Sequence, residues 1–89
     1  MDPQEQLVNL RAALDDMDAR GQGVIVEWDP PTPVWRTARL TLRREDAEVL
    51  VFEDVGELVF IPPNESHPRP LPSVGVDETA DVLVRALGR

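Results

Sequence analysis

A chain of 89 residues has room for one small domain and not for two separate cores. Its 17 acids outnumber nine bases, all of them arginine, and the resulting formal charge of −8 argues against a polyanion-binding tail or an anionic-membrane anchor. Hydrophobic residues make up 42%, too many for a disordered acidic chain, while zero cysteines and a single histidine exclude disulfides, a cysteine nucleophile and the usual zinc sites.

Asp2-Pro3-Gln4-Glu5 reads as a helix start, with Asp2 as the cap, Pro3 at the first helical position and Glu5 placed to complete a capping box. Leu7, Leu10, Leu14 and Met17 then recur at spacings of three and four, giving one apolar stripe. Gly21 supplies a terminator able to take positive φ, so the helix is expected to end near Arg20. Asp15, Asp16 and Asp18 crowd its last turns, where the macrodipole disfavours a negative charge by roughly 0.3–1 kcal/mol, and only Arg20 offsets them. Met1–Leu10 holds no base and no apolar run of signal-peptide length, and nothing later approaches the roughly 20 apolar residues of a membrane span. The expected location is cytoplasmic, with no membrane partner.

From Gly23 the period changes to two. Val24, Val26 and Trp28 alternate with Ile25 and Glu27 until Asp29-Pro30-Pro31-Thr32-Pro33 forbids further pairing, which makes a first strand. Val34–Arg44 reads as a long second strand, with Val34, Ala38, Leu40 and Leu42 on one side and Trp35, Thr37, Arg39, Thr41 and Arg43 on the other. Glu45-Asp46 is a turn, Glu48–Glu53 a third strand, Asp54-Val55-Gly56-Glu57 a second turn, and Leu58–Ile61 a fourth strand. Five of the nine prolines fall within Pro62–Pro72, which reads as a stiff loop. Asp77 is the expected cap of a closing helix in which Ala80, Leu83, Val84 and Leu87 share a face and Gly88 marks the end.

The order α-β-β-β-β-α with tight connections predicts an α+β domain spanning residues 1–89: a four-stranded antiparallel meander with both terminal helices packed on one face. The turns predict Arg43 opposite Glu48, Thr41 opposite Leu50, Arg39 opposite Phe52, Phe52 beside Val59 and Leu50 beside Ile61. One face then collects Ala38, Leu40, Leu42, Val49, Val51, Leu58 and Phe60, a core the helices can cover. The other collects Leu50, Phe52, Val59 and Ile61, flanked by Trp35, Thr37, Arg39, Thr41 and Arg43, which is more apolar than a solvated sheet face normally is. Another polypeptide, one helix on each face, or the proline-rich loop are the three conceivable covers.

Charge is unevenly spread: Val34–Arg44 holds Arg36, Arg39, Arg43 and Arg44 with no acid, and the rest of the chain holds all 17 acids and five arginines. Cross-strand pairing of Arg43 with Glu48, and with Glu53 or Glu27, accounts for part of this. The sharper reading makes Trp35, Arg39 and Arg43 anchors around the apolar patch, since tryptophan and arginine are over-represented among interface hot spots.

Catalytic constellations find little support. Ser66-His67 is adjacent in sequence, a geometry that seldom lets two side chains share one proton, and no oxyanion-forming glycine motif accompanies it. Asp15-Asp16-Asp18 and Asp77-Glu78-Asp81 lack calcium-loop spacing, and Gly21-Gln22-Gly23 lacks the phosphate-loop fingerprint. No cofactor, metal, direct nucleic-acid contact or small-molecule substrate is implied. The expectation is a small, non-catalytic protein-binding module of regulatory, inhibitor or assembly type, acting through Trp35, Arg39, Arg43, Leu50, Phe52, Val59 and Ile61 on a protein partner or as a homodimer. The alternative from another class is an acidic nucleic-acid mimic that occupies the basic groove of a nucleic-acid-binding enzyme.

Overall fold

The structure, a computed structural model, describes residues 2–17, 20–34, 36–71 and 75–87. Helix α1 spans Pro3–Asp16, a short 3-10 turn Arg20–Gln22 follows, and strands β1 (Ile25–Asp29), β2 (Arg39–Arg44), β3 (Ala47–Asp54), β4 (Glu57–Ile61) and β5 (Arg69–Pro70) lead to α2 (Val76–Ala86). All neighbouring strands are antiparallel and lie in chain order, β1-β2-β3-β4-β5. The α+β meander with a helix at each end matches the expectation, but the strands number five and not four. The extra strand lies in the proline-rich loop: Pro70 faces Val59 and Arg69 faces Phe60, and the Leu71 amide donates to the Leu58 carbonyl at 3.4 Å. Proline lacks an N–H, which rules it out of a sheet interior and not of an edge, and β5 is an edge.

Register follows from the two hairpins. Glu45-Asp46 joins β2 to β3 so that Arg43 faces Glu48 and Thr41 faces Leu50; Val55-Gly56 joins β3 to β4 so that Phe52 faces Val59 and Leu50 faces Ile61. Val55 and Gly56 both have positive φ, 51° and 79°, the signature of a type I′ hairpin turn. Gly56 takes that conformation freely, whereas Val55 is β-branched and strained in it.

The core forms on one side of the sheet. Leu40, Leu42, Val49, Val51, Leu58 and Phe60 join Leu7, Leu10, Ala13 and Leu14 of α1 and Ala80, Leu83 and Val84 of α2 in one buried cluster with Leu87. Helix α1 lies against β2, β3 and β4, and α2 packs on α1. Both helices therefore serve the same face, and the arrangement with one helix on each face is excluded. Gln4 ties the start of α1 to the sheet: its Nε2 donates to Glu53 Oε1 at 2.9 Å and its Oε1 accepts from the Ala38 amide at 3.1 Å. The Arg11 guanidinium sits 5.2 Å from the centre of the Trp28 ring, linking α1 to β1.

Several boundaries differ from expectation. Helix α1 ends at Asp16 and not near Arg20, with no basic residue in its last turn to offset Asp15 and Asp16. Asp2 is the N-cap, yet no side-chain cap bond forms and the capping box with Glu5 is not made. Gly21 lies in the 3-10 turn, and the positive φ falls at Gly23, 82°. The second strand starts at Arg39 and not at Val34, because Pro30, Pro31 and Pro33 interrupt pairing and the Ala38 amide is taken by Gln4. Val34 is consequently 87% exposed and does not share the core face. Gly75, not Asp77, caps α2; Asp77 and Glu78 sit in its first turn, where they still complement the dipole, and the Thr79 hydroxyl donates to the Gly75 carbonyl at 3.0 Å. Asp18, Pro72 and Gly88 lie outside the described residues.

Candidate protein interface

Alternation from the paired register builds the outer face of the sheet. It carries Ile25, Glu27 and Asp29 from β1, Arg39, Thr41 and Arg43 from β2, Glu48, Leu50 and Phe52 from β3, Val59 and Ile61 from β4, and Pro70 from β5. Of the residues expected to form the interface, Leu50, Phe52, Val59 and Ile61 come together as two facing pairs in the middle. Val59 is buried; Leu50, Phe52 and Ile61 are half-buried and remain outside the core cluster. Trp35 lies outside the described residues. Thr37 precedes β2, so the strand alternation that grouped it with Arg39 does not extend to it.

Arg43 is an exposed hub of charge and not a lone anchor. Its Nη1 meets Glu27 Oε1 at 2.8 Å and its Nε donates to Glu48 Oε2 at 2.6 Å, so one guanidinium clasps β1, β2 and β3 on the outer face. The Glu48 hydrogen bond first, and then the Glu27 charge, hold Arg43 above the ordinary guanidinium range. Of the two further carboxylates considered for it, Glu27 takes part and Glu53 does not: Glu53 projects to the helix side and meets Gln4. Arg39 is half-buried and faces Asp29 across the ladder.

The start of the proline-rich loop borders this face. Its first residues, Pro62, Pro63, Asn64 and Glu65, combine with Asp46, Ala47, Glu48, Leu50 and Ile61 to line an open groove of about 470 Å³. Glu65 accepts a bidentate pair from Arg69, 2.9 and 2.8 Å, which braces the loop against β5. Ser66 and His67 are exposed in the same loop. Among the described residues no three carboxylate or imidazole groups gather as a metal-ligating set, and no helix is long and apolar enough to cross a membrane.

The sequence places Thr41 on the flank of this face, opposite Leu50, and gives no strand signal for Pro70. Thr41 is buried in the centre of the outer face, 6% exposed, because Leu50 and the β1 ladder flank it. Pro70 extends the apolar strip beyond Val59, and its only signal was a residue type that argues against strand. Compared with protein-family models, curated proteins and solved structures, the chain matches none.

Proposed function

We propose that this chain is a non-catalytic protein-binding module that works through the outer face of its sheet, on a protein partner or on a second copy of itself. One observation carries the reading: both helices cover the opposite face, and among the described residues no helix lies over Leu50, Phe52 and Ile61, which are left half-buried. Domains bury an apolar sheet face against a second layer, and among the described residues no helix supplies that layer on this side. Leu50, Phe52, Val59, Ile61 and Pro70 form a contiguous strip, with Arg39 and Arg43 beside it as the polar rim that interfaces favour. The remainder of the acidic surface keeps the chain soluble and biases it toward partners that carry positive charge.

Sedimentation velocity at micromolar concentration tests this, with the wild type beside Phe52→Asp. The expected result is a dimer or larger species that Phe52→Asp returns to a monomer with its thermal transition retained. Where the wild type is a monomer, the same pair serves as bait, and a protein held by the wild type is expected to be lost from Phe52→Asp. A monomer with no Phe52-sensitive partner overturns the reading. Association that weakens steeply between low and moderate salt transfers the weight to the acidic mimic, since an apolar contact responds little to ionic strength.

A further inference from the structure

The two edges of the sheet are built in opposite ways. On one side β5 is only two residues long and includes Pro70, so that edge offers little to another strand. On the other side β1 is five residues, Ile25–Asp29, with neither proline nor lysine. Alternate residues of an edge strand aim their N–H and C=O groups away from the sheet. Among the described residues, the main-chain hydrogen bonds outside helices and ladders lie at helix ends and around β4 and the proline-rich loop, and none reaches β1.

Side chains repeat the asymmetry. On the helix side of the sheet Leu40 and Leu42 of β2 and Val49 and Val51 of β3 are wholly buried, whereas Val26 and Trp28 of β1 pack against the same core and are only half-buried. The Arg11 guanidinium lies over the Trp28 ring, and the side chains of Val26 and Trp28 both keep exposed apolar surface. On the opposite side the strand shows Ile25, 59% exposed, together with Glu27 and Asp29. Glu27 meets Arg43 through Oε1, and a carboxylate has about four acceptor sites, so it retains capacity for a second cation.

We infer that β1 accepts an added strand from a partner, and that this strand alternates apolar and basic residues: apolar beside Val26 and Trp28, basic beside Glu27 and Asp29. Main-chain hydrogen bonds supply affinity and the alternation supplies specificity, as in other strand-addition complexes. A second copy of β1 is the poorer occupant. Antiparallel self-pairing centred on Glu27 sets Glu27 against Glu27, and centring on Trp28 sets Glu27 against Asp29, like charges directly opposite in both. Centring on Val26 avoids this only by reducing the pairing to residues 25–27 of the strand. The edge is a different surface from the outer face, so either can fail while the other stands.

The test uses a soluble peptide of about nine residues that alternates arginine and valine, titrated into the full chain while backbone amide spectra and amide exchange are followed. Two controls accompany it: the same peptide with glutamate for arginine, and one N-methylated at every backbone amide, which keeps the charge and blocks ladder formation along both edges of the peptide. Shifts and slowed exchange concentrated on Ile25–Asp29, at least tenfold weaker binding of the N-methylated peptide, and a similar loss in the Glu27→Gln/Asp29→Asn double variant are expected. Equal binding of the N-methylated peptide overturns the inference, as do shifts centred on the helices or on Leu50 and Ile61, and as does self-association that the double variant strengthens. Absence of an edge response in a protein that still loses association on Phe52→Asp removes this inference and leaves the outer-face reading in place.

Discussion

Leu42 and Leu50 sit on adjoining strands of one hairpin, the first with no exposed surface beneath α1 and the second half-buried on the side without a helix. They are the same residue in the same kind of ladder. What separates them is parity in the alternation and therefore which layer lies above. On the helix side, residues from two helices and the strands interlock until nothing of Leu40, Leu42, Val49 or Val51 reaches water. On the outer side the cover consists of neighbouring side chains and the start of the proline-rich loop. The first face is complete within one chain, and the second buries Thr41 and Val59 while Leu50, Phe52 and Ile61 stay half-buried.

The sharpest way to break this contrast is to truncate both leucines. Leu42→Ala is expected to cost about 2–5 kcal/mol in chemical denaturation, the range for a fully buried leucine that leaves a cavity. Leu50→Ala in dilute solution is expected to cost about 1 kcal/mol, because only part of the side chain leaves water on folding. Equal costs would mean that both faces are already core. A Leu50→Ala cost that grows with protein concentration is the signature of burial in an assembly.

A smaller effect of opposite sign is expected at the β3–β4 hairpin. Val55 is 94% exposed and holds a left-handed conformation, φ 51°, so it spends conformational energy without burying surface. Val55→Asn replaces it with the residue that suits the first central position of a type I′ turn and is expected to stabilise the chain by about 1 kcal/mol. For a domain of this size that is a rise of about 4–8 °C in the thermal midpoint, readable by calorimetry. The gain should appear in dilute monomer and leave association through the outer face unchanged; a variant that folds better and binds worse would make the hairpin tip part of the contact.

How far these features were legible differs between hairpins and ends. The register of β2, β3 and β4 was readable because two-residue turns fix which residues face each other, and period-two alternation then assigns every side chain to a face. That same logic places Leu50, Phe52, Val59 and Ile61 together. It overreached at Val34–Ala38, where alternation continues in the sequence but three prolines upstream and the Gln4 side chain take the backbone out of the ladder. It missed β5 because a strand of two residues has no period to detect and includes a proline. Helix ends were the least legible: α1 stops where unfavourable aspartates accumulate, although the terminating glycine with positive φ comes seven residues after Asp16, at Gly23. Which face the helices would choose was a matter of their own apolar stripes meeting the more continuous of two apolar sheet sides, a tertiary decision that no local window records.

The smallest expected effect is none at all, and it separates the two faces by chemistry instead of packing. The outer face depends on the Arg43 clasp between Glu27 and Glu48, and the helix side on uncharged residues. Arg43 is shifted upward in the folded chain, so its contribution is fully present below its unfolded pKa and is lost only as the pH rises through the higher folded value. The chain has no tyrosine and no cysteine, and every base is arginine, so the N-terminal amine is the one group with an ordinary pKa between about 7.5 and 11. From about pH 9, where that amine is largely neutral, to about pH 11, both the thermal midpoint and any association through the outer face should stay constant. The measurement is a pair of series, calorimetry and sedimentation over the same buffers. A midpoint that holds while association changes between about pH 7.5 and 9 would bring the chain's amino terminus into the contact, and the outer face would then no longer account for it alone.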